Sequence, residues 1–142
     1  MRSRVALLLV GLVGLLSMLL SRPAAAAPSP VPPVHIVAAT ALDAHGHVQA
    51  LFHRGDRIAL RIRWQTQAVR PGTKVTVLWA VHYGRQAVYR HFRIVPTHVG
   101  RWRITAQARI PRTARLGVYT FEGKVVVGHT ASWRVFTLRV VR

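Results

Sequence analysis

The sequence predicts an all-β domain, a β-sandwich of seven to eight antiparallel strands, preceded by a signal peptide. From residue 34 onward apolar and polar residues alternate with period two, and no stretch keeps helical spacing for three turns. Turn-forming glycine, proline and aspartate separate the alternating runs at short intervals, as is typical of sandwiches. The chain has 142 residues, which is enough for one such core.

The first 27 residues have the order of a secretory signal peptide. Two arginines lie within Met1–Arg4, an apolar run of 16 residues follows, and Ala24–Ala27 offers a small-residue cleavage site. Sixteen residues rise about 24 Å as a helix, less than the roughly 30 Å of a bilayer core, which favours cleavage over the alternative of a retained anchor. We therefore expect cleavage near Ala27 and a secreted, periplasmic or cell-envelope location.

The expected mature chain begins with a spacer and continues as one domain. Residues 28–33 contain four prolines, which favour an extended, stiff segment. Residues 34–142 carry the alternating pattern. Val34 to Thr40 is predicted as a first edge strand, followed by turns at residues 43–46 and 53–56.

The next strands alternate most clearly. Arg57 to Gln65 places Ile58, Leu60, Ile62 and Trp64 on one face. After a turn at Pro71-Gly72, Lys74 to Tyr83 turns Val75, Val77, Trp79 and Val81 inward. Ala87 to Val95 follows Gly84 and has mixed parity, so its inward face is ambiguous. The remaining predicted strands are Arg101 to Ile110, Leu116 to Val127 and Trp133 to Val141.

The segment Ala114–Phe121, with the sequence ARLGVYTF, resembles the immunoglobulin-like sandwich of bacterial extracytoplasmic modules. In that family a corner tyrosine lies two residues before a core cysteine, and its hydroxyl bonds back to the preceding loop. Tyr119 and Phe121 keep the spacing without the cysteine. The resemblance places Trp79 at the core position of strand C and Ile62 or Trp64 in strand B. Fibronectin type III and macroglobulin-like sandwiches fit the same cysteine-free pattern.

Composition removes most of the material for catalysis. The chain has no cysteine, three acidic residues (Asp43, Asp56 and Glu122), and one serine beyond residue 29, Ser132. Ser132 lacks the Gly-x-Ser-x-Gly elbow, and short acids in turns commonly bond their own backbone. We expect a non-enzymatic protein without a cofactor.

Positive charge is the most informative feature, with 21 basic residues and a net charge of +18. The resemblance makes Arg57 to Gln65 strand B and Arg101 to Ile110 strand E, which are neighbours in one sheet of an immunoglobulin-like sandwich, so their outward arginines should share one face. Arginine is suited to bidentate binding of phosphate or carboxylate. The expected partner is an anionic envelope polymer or protein, with a membrane surface as a further candidate and no specific nucleic acid. The alternative is a coding bias toward arginine. The residues predicted to form one anion-binding face are Arg57, Arg61, Arg63, Arg101, Arg103 and Arg109.

Histidine supplies the alternative function, a periplasmic copper- or zinc-handling protein. All eight histidines lie beyond residue 34, and imidazole is a ligand for both metals. The four that lie closest in sequence are His35, His45, His47 and His53. The sequence leaves the oligomeric state open.

Overall fold

The computed structural model describes residues 32–142, which form eight β-strands and no helix. No helix in this part of the chain is long and apolar enough to cross a bilayer. The predicted signal peptide and most of the predicted spacer lie outside the described residues. The strands are β1 (Val34–Leu42), β2 (Leu51–His53), β3 (Arg57–Thr66), β4 (Thr73–Tyr83), β5 (Gln86–Thr97), β6 (Gly100–Arg109), β7 (Gly117–Val127) and β8 (Thr130–Val141).

The strands form two unequal sheets. One has three strands in the order β1-β3-β6, and the other has five in the order β2-β8-β7-β4-β5. The apolar inner faces of the two sheets supply one common core, so the predicted all-β sandwich is confirmed. All pairings are antiparallel except that of β2 with β8, which is parallel. Strand β2 was not predicted, because three residues between two turns are too short to show a period.

Strand β1 runs two residues farther than the sequence predicted. Its pairing with β3 shifts register between Ile36 and Ala38, and Val37 at this bulge is exposed. The extra residue restores the inward direction for Ala39 and Ala41, which are buried. A strict period of two, continued from Val34 and Ile36, would point Ala39 and Ala41 outward.

Strand β5 has no buried run because it is an edge strand of the wider sheet. It pairs with β4 only. Phe92 and Ile94 are largely exposed, and Thr97 at the end of the strand is buried. The mixed parity of the sequence therefore reflects a strand whose outer face is exposed and whose inner face is only partly covered, with Tyr89 and Val95 packed against the core.

The predicted core residues lie together between the sheets. Ile62, Trp79 and Phe121 are fully buried, and Tyr119 is nearly so. The indole nitrogen of Trp79 donates a 2.9 Å hydrogen bond to the Leu60 carbonyl oxygen of the opposite sheet. This bond satisfies the buried indole N–H and ties β4 to β3.

Glycine is required where β7 approaches the three-stranded sheet. A Cβ atom at Gly123 would lie 2.8 Å from Cγ1 of Ile62 and 3.1 Å from Cβ of Ala39. These distances are shorter than normal van der Waals contacts, so a side chain here would push the two sheets apart.

Tyr119 makes the corner contact that its position predicted. Its hydroxyl donates a 2.7 Å hydrogen bond to the Arg115 carbonyl oxygen in the preceding loop. The bond fixes the path of the chain as it passes from β6 in one sheet to β7 in the other.

Replacement of Trp79 tests the importance of this core. Trp79→Ala should lower the free energy of unfolding by about 3–5 kcal/mol, since it removes a large buried side chain and leaves a cavity. Trp133→Ala is the matched control, because Trp133 lies on the outer face of the five-stranded sheet and is 60% exposed. The control should change stability by less than about 0.5 kcal/mol in urea denaturation followed by circular dichroism. Equal losses in the two variants would contradict this assignment of the core.

Candidate anion-binding face

Six arginines lie on the outer face of the three-stranded sheet. Strands β3 and β6 pair antiparallel, which confirms the predicted contact between these two segments. Residues directly opposite each other in a β-ladder point to the same side of the sheet. Arg57 is opposite Arg109, and Arg63 is opposite Arg103. The set, called the arginine face below, consists of Arg57, Arg61, Arg63, Arg101, Arg103 and Arg109.

The arginine face has no acidic residue within its own sheet. Strands β1, β3 and β6 contain neither aspartate nor glutamate. Five of the six arginines are exposed, and Arg61 in the middle of β3 is half-buried. On the neighbouring strand β1, Ala38 is opposite Arg63 and Thr40 is opposite Arg61. These small neighbours leave the guanidinium groups room to reach an outside ligand.

A depression of about 520 Å³ lies at one end of the arginine face. Arg57, Arg61 and Arg109 contribute to its wall, and Thr105 and Gln107 of β6 add neutral hydrogen-bonding groups. Small residues in the turn after β1 and at Ala59 leave this space open. Sequence analysis identified the arginines but missed Thr105 and Gln107, although both share the outward parity of Arg103.

Arg61 carries an unused donor at this depression. Its Nε atom is buried and has no hydrogen-bond acceptor within residues 32–142. A buried donor without a partner is costly, so this atom opposes the stability of the folded state.

Asp43 is the acidic residue that lines the depression, and its carboxylate is bound to its own turn. Its Oδ1 atom accepts hydrogen bonds of 2.8 Å from the backbone N–H groups of both His45 and His47. Its Oδ2 atom lies 3.5 Å from Nδ1 of His47. The second close contact between a carboxylate and a basic side chain within residues 32–142 joins His53 and Asp56. No carboxylate of the described chain therefore forms an ion pair with the arginine face.

The four histidines of the metal alternative do not converge. His35 is exposed at the start of β1, and His53 lies at the end of β2 beside Asp56. The ring centroids of His45 and His47 are 6.3 Å apart. Within residues 32–142 no group of three or more histidine, cysteine, aspartate or glutamate side chains is arranged to hold a metal ion.

Comparisons with known proteins give structural similarity alone. No family model matches the sequence, and no curated protein matches it. A solved structure of the alkylpurine DNA glycosylase AlkC from Pseudomonas fluorescens, bound to DNA with an abasic-site analogue, is similar with a TM-score of 0.51 and 16% identity. A putative β-galactosidase from Bacteroides fragilis aligns with a TM-score of 0.46 and 14% identity. The similarity covers 78% and 75% of this chain, but it spans only 31% of the glycosylase and 16% of the galactosidase.

The Asp43 turn should keep its carboxylate ionised into the acid range. The backbone N–H of His47, followed by that of His45 and the charge of His47, holds the pKa of Asp43 below its ordinary value of 3.8. Because the folded-state pKa is depressed, the contribution of this turn is present above pH 3.8 and is lost as the pH falls through the lower folded value. The carboxyl chemical shift in an NMR titration should show a midpoint below 3.8.

His47→Gln is the control for this titration. The substitution removes the imidazole but keeps both backbone donors, so the midpoint should rise while staying below 3.8. A midpoint at or above that value in the unsubstituted protein would contradict the described turn.

Proposed function

We propose that this chain is a secreted, non-enzymatic binding or structural module at the cell envelope, which holds an anionic polymer on its arginine face. The observation that carries the proposal is the presence of six guanidinium groups on one sheet face without a carboxylate partner. Arginine left free of internal ion pairs can give its full set of donors to phosphate, sulfate or carboxylate groups.

Electrostatic repulsion within the face supports a polyanionic ligand. Arg57 and Arg109, like Arg63 and Arg103, are direct cross-strand pairs of like charge, which destabilise a sheet. Alternate residues on a strand are about 7 Å apart, and adjacent strands are about 5 Å apart. A flexible polymer with closely spaced anionic groups can neutralise several arginines at once, and the released counter-ions favour binding.

We further propose that residues 34–142 are an immunoglobulin-like sandwich. Three features support this assignment: the contact between Tyr119 and the preceding loop, the buried Trp79, and the pairing of β3 with β6.

The positions and contacts of the three acidic residues support a non-enzymatic role. Asp43 and Asp56 accept hydrogen bonds from nearby backbone N–H groups, and Glu122 lies on β7 of the other sheet.

DNA is an alternative polyanionic ligand, because the structurally similar glycosylase is bound to DNA. At 16% identity the similarity concerns the fold alone, so DNA is compared with heparin in the binding test below. The metal-handling alternative has no comparable support, because its four histidines are dispersed across β1, the following turn and β2.

A triple substitution tests the arginine face. Arg61→Gln, Arg63→Gln and Arg103→Gln together should weaken heparin binding and make it much less sensitive to salt. For duplex DNA, the slope of log K against log[NaCl] should become shallower by roughly 2–3, as expected for the loss of three phosphate contacts. Fluorescence anisotropy with labelled heparin and labelled DNA, over a series of NaCl concentrations, measures both effects.

The matched control removes the same charge elsewhere. Arg70, Arg85 and Arg112 are exposed residues outside the strands, and their joint replacement by glutamine should leave most of the affinity. If both triple variants lose affinity equally, binding follows net charge and the proposed face is wrong. Binding of DNA in clear preference to heparin at the same salt concentration would favour the nucleic-acid alternative.

The mass and location of the expressed protein test the proposed export and cleavage. Protein expressed in a bacterial host should appear in the periplasm or medium with a mass that corresponds to loss of about the first 27 residues. Leu9→Arg and Leu15→Arg together interrupt the apolar run, so this variant should stay inside the cell at full length. Unprocessed native chain in the cytoplasm would contradict the proposed location.

A further inference from the structure

A cavity of about 360 Å³ lies between the sheets near the end of β6. The cavity exists because the sheets have unequal widths. Strands β4 and β5 continue sideways beyond the edge of β6, so the inner side of Tyr89 is only partly covered.

The walls of this cavity are mainly apolar. Ile58 and Leu60 of β3, Val81 of β4, and Leu138 and Val140 of β8 line it. All three tyrosines of the chain, Tyr83, Tyr89 and Tyr119, are also lining residues. Small-molecule sites in proteins have this character, and their volumes begin near 300 Å³. The cavity therefore suits one small ligand with a hydrocarbon part.

The loop at the mouth is held in place by side chains. Its three successive carbonyl oxygens, those of Ala114, Arg115 and Leu116, each accept one side-chain hydrogen bond. The donors are Nε of Arg54 at 2.7 Å, the Tyr119 hydroxyl at 2.7 Å and the Tyr83 hydroxyl at 3.3 Å. A mouth fixed in this way needs little ordering when a ligand enters, which favours affinity.

The charges at the cavity have one sign. Arg109 and Arg115 line it, and no aspartate or glutamate does. The guanidinium carbon of Arg115 lies 5.7 Å from the ring centroid of Tyr83, which positions the cation beside the aromatic wall. Burial raises the pKa of the Tyr89 phenol above its ordinary value of 10.0.

We propose that this cavity binds a single-chain amphiphilic carboxylate, with the chain between the sheets and the carboxylate at Arg115. An apolar interior takes up the hydrocarbon chain, and the Arg115 guanidinium supplies the charge-assisted hydrogen bonds that a carboxylate prefers. The inference does not depend on the arginine face, although Ile58, Ala108 and Arg109 line both the cavity and the depression.

The probe is decanoate at concentrations below micelle formation, compared with decanol, which has the same chain length without the charge. Isothermal titration calorimetry should show one decanoate per protein, bound roughly tenfold more tightly than decanol. NMR should show changes in the ring signals of Tyr83, Tyr89 and Tyr119. No saturable binding of decanoate, or equal affinity for the two probes, would overturn the proposal.

Two variants and one control test binding of the carboxylate and binding of the hydrocarbon chain separately. Arg115→Gln should weaken decanoate roughly tenfold and leave decanol unchanged, while Arg112→Gln in the same loop, outside the lining residues, should change neither. Ala108→Phe fills the cavity and should abolish binding of both probes. If that variant does not fold, the comparison of Arg115→Gln with Arg112→Gln still tests the proposal. Arg115→Gln keeps the backbone carbonyl that accepts the Tyr119 hydrogen bond, so the loop should stay in place.

Decanoate binding that survives in a folded Ala108→Phe variant would place the ligand elsewhere and refute the proposal. A failure of the arginine-face variants would leave these results unaffected.

Discussion

The alternation of β3 is the constraint on which the rest of the structure depends. Its inner side chains, including Ile62 and Trp64, are fully buried, while its outer side chains include Arg57 and Arg63. A shift of one residue in either pairing of this strand would move arginines toward the core and isoleucines into water. The free-energy cost of burying an unpaired guanidinium is much larger than the gain from any single contact in the sheet. This register is therefore strongly fixed.

The unequal widths of the sheets explain several features together. Three strands cannot cover five, so β5 is exposed along much of its length and a cavity opens beside the edge of β6. The contacts that do join the sheets are concentrated elsewhere. The Trp79 indole bonds to the Leu60 carbonyl, and Gly123 allows β7 to approach Ile62. Tight packing in one region and an open cavity in another are thus consequences of the same strand count.

The positive charge of the domain has little internal compensation. Asp43 and Asp56 are engaged by backbone N–H groups and histidines, and Glu122 lies in the opposite sheet. The net repulsion must be balanced by the hydrophobic core and by solvent counter-ions. A bound polyanion would replace those counter-ions, and this connects the stability of the folded domain with the binding role proposed for it.

The sequence alone determined the features that depend on local alternation. It predicted the inward positions of Ile62 and Trp79 and the outward position of the arginines on each strand. These predictions succeed because side chains on a strand alternate strictly, and because burial of one face selects a single register. The contact of Tyr119 with its preceding loop, the core position of Phe121 and the pairing that puts all six arginines on one side were expected from the resemblance to the immunoglobulin-like sandwich.

Only the tertiary structure decided where each sheet ends and which neighbour each strand lacks. The bulge after Ile36, the parallel pairing of β2 with β8 and the exposure of β5 depend on contacts between distant segments. The depression at Arg61 and the cavity beneath Tyr89 are spaces between strands, so no residue pattern within one strand records them. Periodicity reports which way a side chain points, whereas the surface opposite that side chain is set by long-range packing.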